Sequence, residues 1–167
     1  MIYIKSSSEV AKMRTSGRIT ANVFEILKPY IKPGVSTAEL DKITKEYILN
    51  SEAKPSFLNY NGFPASICSS VNDVVIHGIP SHSKILKDGD IISIDVGVIK
   101  DGYHSDAART FAVGNISDEA ARLIDVTKKS FFEGIRYAKA GNHLHDISAA
   151  IQKYAESFGY GVVRELV

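Results

Sequence analysis

Apolar and polar residues alternate most strictly between Ile91 and Ile99. Ile92, Ile94, Val96 and Val98 fall on one face, and Ser93, Asp95 and Gly97 on the other. This spacing predicts a strand with one face in a core. Asp101-Gly102 reads as a two-residue hairpin loop, which sets Lys100 opposite Tyr103, Gly97 opposite Asp106 and Asp95 opposite Ala108. Both aspartates then project from one side of the sheet as diagonal neighbours, roughly 7 Å apart at Cβ. Upstream, Val10, Met13, Val23 and Leu27 follow helical spacing, and Ser36-Thr-Ala-Glu39 is a capping-box pattern opening a second helix to about Asn50. A third helix is predicted behind Ser117, with Asp118 and Glu119 in its first turn, and a fourth over about His143 to Phe158. Between the second helix and the hairpin, Tyr60 to Pro80 reads as two short strands joined near Asn72-Asp73, the second ending at His77.

The two helix pairs look like copies. At one constant spacing Thr20 matches Thr127, Phe24 matches Phe131, Tyr30 matches Tyr137, Lys32 matches Lys139, Gly34 matches Gly141 and Tyr47 matches Tyr154. Glu39 and Asp146, and Leu40 and Ile147, are conservative matches in the same register. The expectation is an internal duplication. A first half-repeat spans about residues 8–113. A partial second covers about 117–167, with Val167 falling where Tyr60 stands in the first. On this reading residues 1–167 are a single catalytic-type domain, an incomplete copy of a two-lobed protein. The bland alternative is that amphipathic helix pairs closed by a glycine resemble one another by default.

Composition narrows the field. The chain has 167 residues, 44% hydrophobic and 23% charged, with a formal net charge of +1 and no run of like charge. Nothing points to nucleic acid or a membrane surface. Cys68, the sole cysteine, excludes an internal disulfide and fits a reducing compartment. The first ten residues contain no apolar signal core, so cytoplasm is the default location.

Two carboxylates as close as Asp95 and Asp106 repel unless a shared proton, an Arg or Lys bridge, or one or two metal ions lie between them. Hard oxygen ligands on a rigid hairpin with small neighbours suit divalent metal. The competing reading pairs one of them with Arg109 or Lys100. His77, followed at once by Gly78, is either a structural histidine or a proton-transfer or substrate-binding group, and its place ahead of the Asp95 strand favours the second. Tyr60, Phe63 and Cys68 suit the wall of a small apolar pocket, although such residues are by default core. Cys68 is not expected to be a nucleophile, since no electropositive neighbour is visible. His143 and His145 read as surface residues, His82 as part of a polar loop, and His104 as alternating away from Asp106.

Taken together, Cys68-x3-Asn72-x4-His77-Gly-Ile-Pro80, Asp90-Ile-Ile-Ser-Ile-Asp95 and Lys100-Asp-Gly-Tyr-His-Ser-Asp106 closely resemble type I methionine aminopeptidases of the bacterial kind, and the resemblance covers the whole chain. It implies an α+β "pita-bread" fold with a dinuclear metal site between two lobes. By resemblance, Asp95 chelates one metal and Asp106 bridges both, while His77 contacts the substrate amino terminus and assists proton movement. Tyr60, Phe63 and Cys68 line the pocket for the initiator methionine. Asn72 and Val74 match positions that hold a monovalent cation through backbone carbonyls. The implied cofactors are two divalent ions, cobalt, manganese, iron or zinc, which activate water against the peptide carbonyl. The implied partners are nascent polypeptides beginning with Met, with the ribosome as a further candidate, and the complete enzyme is expected to be a monomer.

The family's remaining ligands, one His and two Glu, lie further along its chain, and Val162 to Val167 resembles the strand just before that His. The chain is therefore expected to be inactive alone and only marginally stable. Asn61 and Gly97 replace residues that are more polar or bulkier in some relatives. Two other readings stay open: a prolidase-like metallopeptidase of the same fold, and a non-catalytic binding module that has lost the metal site.

Overall fold

The computed structural model describes residues 3–163 and forms two compact units, one up to Ile116 and one from Ser117 onward. The first contains α1 (Ser7–Leu27), α2 (Thr37–Asn50), β1 (Lys54–Pro55), β2 (Ile67–Val71), β3 (Ile91–Lys100) and β4 (Tyr103–Ala112). The second contains α3 (Asp118–Ile135) and α4 (Leu144–Ser157). No helix among the described residues is long and apolar enough to cross a membrane.

β3 is the central strand of an antiparallel sheet. β4 pairs along one edge from Ile91↔Ala112 to Lys100↔Tyr103. The other edge is shared by β2, paired from Ile67↔Val96 to Val71↔Ile92, and by the short β1, paired at Lys54↔Ile99 and Pro55↔Val98. Ile92, Ile94, Val96 and Val98 are fully buried on the face covered by α1, where Val23, Phe24 and Leu27 meet them in one core. Each such aliphatic side chain contributes about 1.5–3 kcal/mol relative to exposure, which is what holds the alternation in register.

Helix boundaries follow their caps. Ser6 and Glu9 form a reciprocal capping box at α1, with Glu9 N–H donating to Ser6 Oγ (3.4 Å) and Ser6 N–H to Glu9 Oε2 (2.7 Å). At α2 only one half of the expected box is made, Glu39 N–H to Ser36 Oγ at 3.2 Å. The apolar stripe of α1 is buried only in its C-terminal part. Val10 and Met13 are 37% and 39% exposed, whereas the hydroxyl residues Ser16 and Thr20 are buried.

The expected second strand ending at His77 does not form. Asn72 adopts φ 55° and turns the chain out of β2, and its side chain is held by Asp90 and by the Ile91 N–H (2.8 and 3.0 Å). Residues 72–80 are irregular. Gly78 returns to β2, its carbonyl accepting from Ser69 N–H at 2.7 Å and its N–H donating to Ser70 Oγ at 3.1 Å. A Cβ at Gly78 would collide with the Ser69 carbonyl.

In the second unit Gly134 lies against α4. A Cβ there would come within 2.6 Å of Ile151 Cγ1, so glycine sets the close approach of α3 and α4. Local geometry repeats between the units. Lys32 N–H donates to Tyr30 O (3.0 Å) as Lys139 N–H does to Tyr137 O (2.8 Å), and Ala53 N–H donates to Ile48 O (3.2 Å) as Tyr160 N–H does to Ala155 O (3.2 Å). Gly34 and Gly141 have φ 91° and 94°, and Glu52 and Gly159 share the left-handed conformation that closes α2 and α4. Of the strand expected at 162–167, Val162 and Val163 are irregular and exposed, and the rest lies outside the described residues.

Candidate metal centre

The β3–β4 register places Gly97 opposite Asp106 and Asp95 opposite Ala108, so both carboxylates stand on the sheet face away from α1. Gly97 O accepts from Ser56 N–H (2.9 Å) on the β1 side. The Gly97–Asp106 pair is therefore of the kind without mutual backbone hydrogen bonds, in which facing side chains lie closest. The register between β2 and β3 adds Cys68 directly beside Asp95.

The hairpin's own cations, Arg109 and Lys100, are engaged elsewhere. Arg109 lies on the opposite face, its guanidinium carbon 4.8 Å above the Phe24 ring and Nη1 3.6 Å from Glu25 Oε1. Lys100 Nζ donates to the carbonyls of Ser51 (3.2 Å) and Glu52 (2.9 Å). Asp95 Oδ1 is buried with no hydrogen-bond partner among the described residues. Burial first, then the charge of Asp106 and a hydrogen bond between the two carboxyl groups, push the Asp95 carboxyl up to about 6, against a lowering by the Val96 N–H and His77. Burial and the same two aspartates push the Cys68 thiol up to about 11, which keeps it protonated and unreactive at neutral pH.

His77 is close enough to act on the Asp95 charge. It is exposed and held at φ 58°, in the left-handed region. Tyr60 and Phe63 lie in and just after a single 3-10 turn, Tyr60–Gly62, within the segment leading from β1 to β2. That segment is tied to the sheet by the Ser56 hydrogen bond and by Phe57, whose ring covers Gly97. Tyr60 is 69% exposed. Cavities of about 480 and 200 Å³ lie in the second unit and include no predicted site residue. Asn72 holds Asp90 and Ile91 as described, and Val74 is exposed.

Three features of this face escaped the sequence reading. His104 does not alternate away from Asp106: residues two apart on one strand share a face, and its Nδ1 lies 3.1 Å from Ser56 Oγ. Phe57 and Ser56 pack onto Gly97, and only the absence of a side chain there hints at it. Asp41, on α2, accepts from the backbone N–H groups of Ser66 (2.7 Å) and Ile67 (3.0 Å), fixing the start of β2 just ahead of Cys68.

An orphaned, half-buried carboxylate oxygen beside a second carboxylate, with no ion-pair partner among the described residues, fits a divalent cation of hard character. Among the described residues no group of three or more His, Cys, Asp or Glu side chains is placed to hold a metal ion.

The profile of metallopeptidase family M24 matches residues 11–167. The chain belongs to that family. It is 56% identical over 167 residues to a protein of Clostridium acetobutylicum named methionine aminopeptidase, covering all of this chain and 67% of the relative. The crystal structure of methionine aminopeptidase from Rickettsia prowazekii superposes with a TM-score of 0.95 at 43% identity, covering 99% of this chain and 66% of that one. The chain thus spans about two thirds of the length of these relatives and shares their α+β pita-bread architecture. A prolidase from Pyrococcus furiosus superposes with a TM-score of 0.84 at 20% identity, a likeness of fold alone. The family is one of metal-dependent peptidases, so an acidic pair on a rigid hairpin falls within its chemistry.

Proposed function

We propose that this chain carries the first part of a methionine aminopeptidase, with Asp95 and Asp106 as its contribution to a site for two divalent ions drawn from cobalt, manganese, iron and zinc. The observation that supports this most is the pairing of the two carboxylates on one face, with the buried Asp95 Oδ1 unpartnered and Lys100 and Arg109 committed elsewhere. Asp95 would hold one ion and Asp106 both. When bound, the ions supply an activated water and polarise the scissile carbonyl. His77, on its exposed loop, would meet the substrate amino terminus and pass protons there. Cys68, kept as a neutral thiol, would form an apolar floor, with Tyr60 and Phe63 as walls for the methionine side chain. The carbonyls of Asn72 and Val74 would take a monovalent cation at the turn leaving β2. The substrates would be nascent polypeptides in the cytoplasm, met at the ribosome, with the complete enzyme a monomer. The repeated local geometry supports reading the two helix pairs as products of one duplication, within one domain whose second half-repeat begins near residue 117.

Two carboxylates alone bind a divalent ion weakly and supply no further base. That favours, for these residues by themselves, the second reading of a fold without catalysis. The test is hydrolysis of a Met-Ala-Ser peptide in Mn²⁺, run with the chain alone and with the C-terminal third of the Clostridium acetobutylicum relative added. Methionine release only in the mixture supports the proposal. Release by the chain alone refutes the ligand count, and none in either refutes the complementation.

A further inference from the structure

Behind the aspartate face, α1 is joined to the hairpin by a run of hydroxyls, buried at Ser16 and Thr20 and half-buried at Ser105. Ser16 Oγ donates to Val98 O at 2.9 Å, Ser16 Oγ and Ser105 Oγ lie 2.8 Å apart, and Thr20 Oγ1 and Ser105 Oγ lie 2.6 Å apart. A hydroxyl has one proton to give. Because Ser16 gives its proton to the carbonyl, Ser105 must donate to Ser16 and Thr20 to Ser105. The order Thr20, Ser105, Ser16, Val98 is thereby fixed, starting on the helix and ending on β3. Such chains polarise and strengthen one another in a low-dielectric interior.

The run closes on one register pair. Val98 and Ser105 face each other, and the next pair along is Gly97 with Asp106. A one-residue slip of β4 would turn Ser105 to the other face, take Asp106 into the core, and leave the buried Ser16 and Thr20 hydroxyls without it. A two-residue slip would offer them Tyr103 or Ala107 instead, one too large and the other without a hydroxyl. The turn at Asp101-Gly102 and the inward Phe111, which packs near Phe24, hold the two ends of β4, whereas between them the inward residues next to Ser105, Tyr103 and Ala107, are only half-buried, so the hydroxyl run adds register information where the apolar core supplies least.

We propose that Ser16, Thr20 and Ser105 are positioning residues, a register lock that keeps the Asp106 carboxylate on the metal face beside Asp95. The lock itself is independent of metal; its consequence for Mn²⁺ rests on the metal reading above. The experiment uses the ¹⁵N-labelled full chain and follows amide exchange across β3 and β4, together with line broadening by Mn²⁺ alone. Ser105→Ala should speed exchange at Val98 and at position 105 by about tenfold, the size of one lost buried hydrogen bond, while α3 amides such as Val126 are unchanged. It should also weaken broadening around Asp95 and Asp106 severalfold. Ser105→Thr, which keeps the donor, should restore both. In the triple variant Ser16→Ala, Thr20→Val, Ser105→Ala, which leaves no bare partner, global stability should return while Mn²⁺ broadening stays weak. If Ser105→Ala fails to fold, Thr20→Val, which removes only the outermost link, is read by the same criteria. Exchange that is unaltered, or faster equally everywhere, overturns the lock, as does a triple variant that binds Mn²⁺ as the unaltered chain does. Absence of broadening in the unaltered chain refutes the metal reading, and the exchange data then decide the lock alone.

Discussion

Tyr103 Oη donates to Glu9 Oε1 at 2.9 Å, tying the first turn of α1 to the first residue of β4. Glu9 also accepts from the Ser6 backbone N–H and hydroxyl, and these contacts, the backbone one foremost, hold its carboxyl at about 2, well below the usual 4.5. A depressed carboxylate contributes stability above its unfolded pKa and loses it as pH falls through the folded one. Between about pH 4.5 and 2 the chain should therefore lose stability through this group. Glu9→Gln should flatten that part of the profile, and Tyr103→Phe should leave most of it, because the Ser6 N–H is the larger cause. Urea melts from pH 7 to pH 2.5 measure both; an unaltered slope in Glu9→Gln would remove Glu9 from the acid transition.

Asp95 has the opposite sign. Its carboxyl is raised from 3.8 to about 6, so the folded chain holds that proton more tightly than the unfolded chain, and stability falls as pH rises through this window. At pH 7.5 Asp95→Asn should raise the thermal midpoint of the metal-free chain by a few degrees, while abolishing Mn²⁺ binding. In the unaltered chain Mn²⁺ affinity should drop below about pH 6, where protons compete for the same oxygen. Calorimetry with and without metal separates the two effects. A midpoint lowered by Asp95→Asn would contradict the cost assigned to this carboxylate.

His77 sits in the left-handed region, so the informative substitution is His77→Asn, which tolerates φ 58° better than alanine does. In the enzyme completed with a C-terminal fragment, turnover of a Met-starting peptide should fall about 10²–10⁴-fold, the range for one proton-transfer group. The thermal midpoint should stay near that of the parent, because His77 is exposed. Unchanged kinetics would return His77 to a structural role.

Gly97→Ala places a Cβ 2.5 Å from Phe57 Cε1 and 2.8 Å from Ser56 Cβ. Overpacking of this kind costs about 1–3 kcal/mol, and here it should also lift the segment that carries Tyr60 and Phe63 off the sheet. Adding Phe57→Ala should recover much of the loss. A double-mutant cycle in urea measures the coupling, and additive effects would mean that the ring moves aside without resistance.

Some of this was legible in the chain and some was not, for physical reasons. The strict period of two from Ile91 to Ile99, ended by Asp101-Gly102, determines register and therefore which face carries Asp95 and Asp106. The helix starts at Ser36 and Ser117 were readable because a side-chain oxygen and a backbone N–H meet within one turn. The path of residues 72–80 was not, since an apolar Val-Val-Ile run reads as a strand while the turn at Asn72 depends on Asp90 and Ile91, far along the chain. Burial of Ser16 and Thr20 was invisible to hydrophobic periodicity, which scores hydroxyls as surface. His104 was misplaced although parity alone assigns it to the face of Asp106.

The division of charged side chains between the two sides of the hairpin has an electrical consequence. Arg109 is on the helix side and Lys100 is turned to the carbonyls ahead of β1, while Asp95 and Asp106 stand on the other side with no ion-pair partner among the described residues. Two carboxylates without an ion-pair partner among the described residues should draw small cations toward that surface at rates that fall with ionic strength. A carboxy-terminal or anionic segment approaching the same surface meets repulsion before it meets any contact. For the peptide substrates proposed above, discrimination between the two ends would therefore begin at several ångströms' distance, in the local potential of a chain whose net charge is only +1.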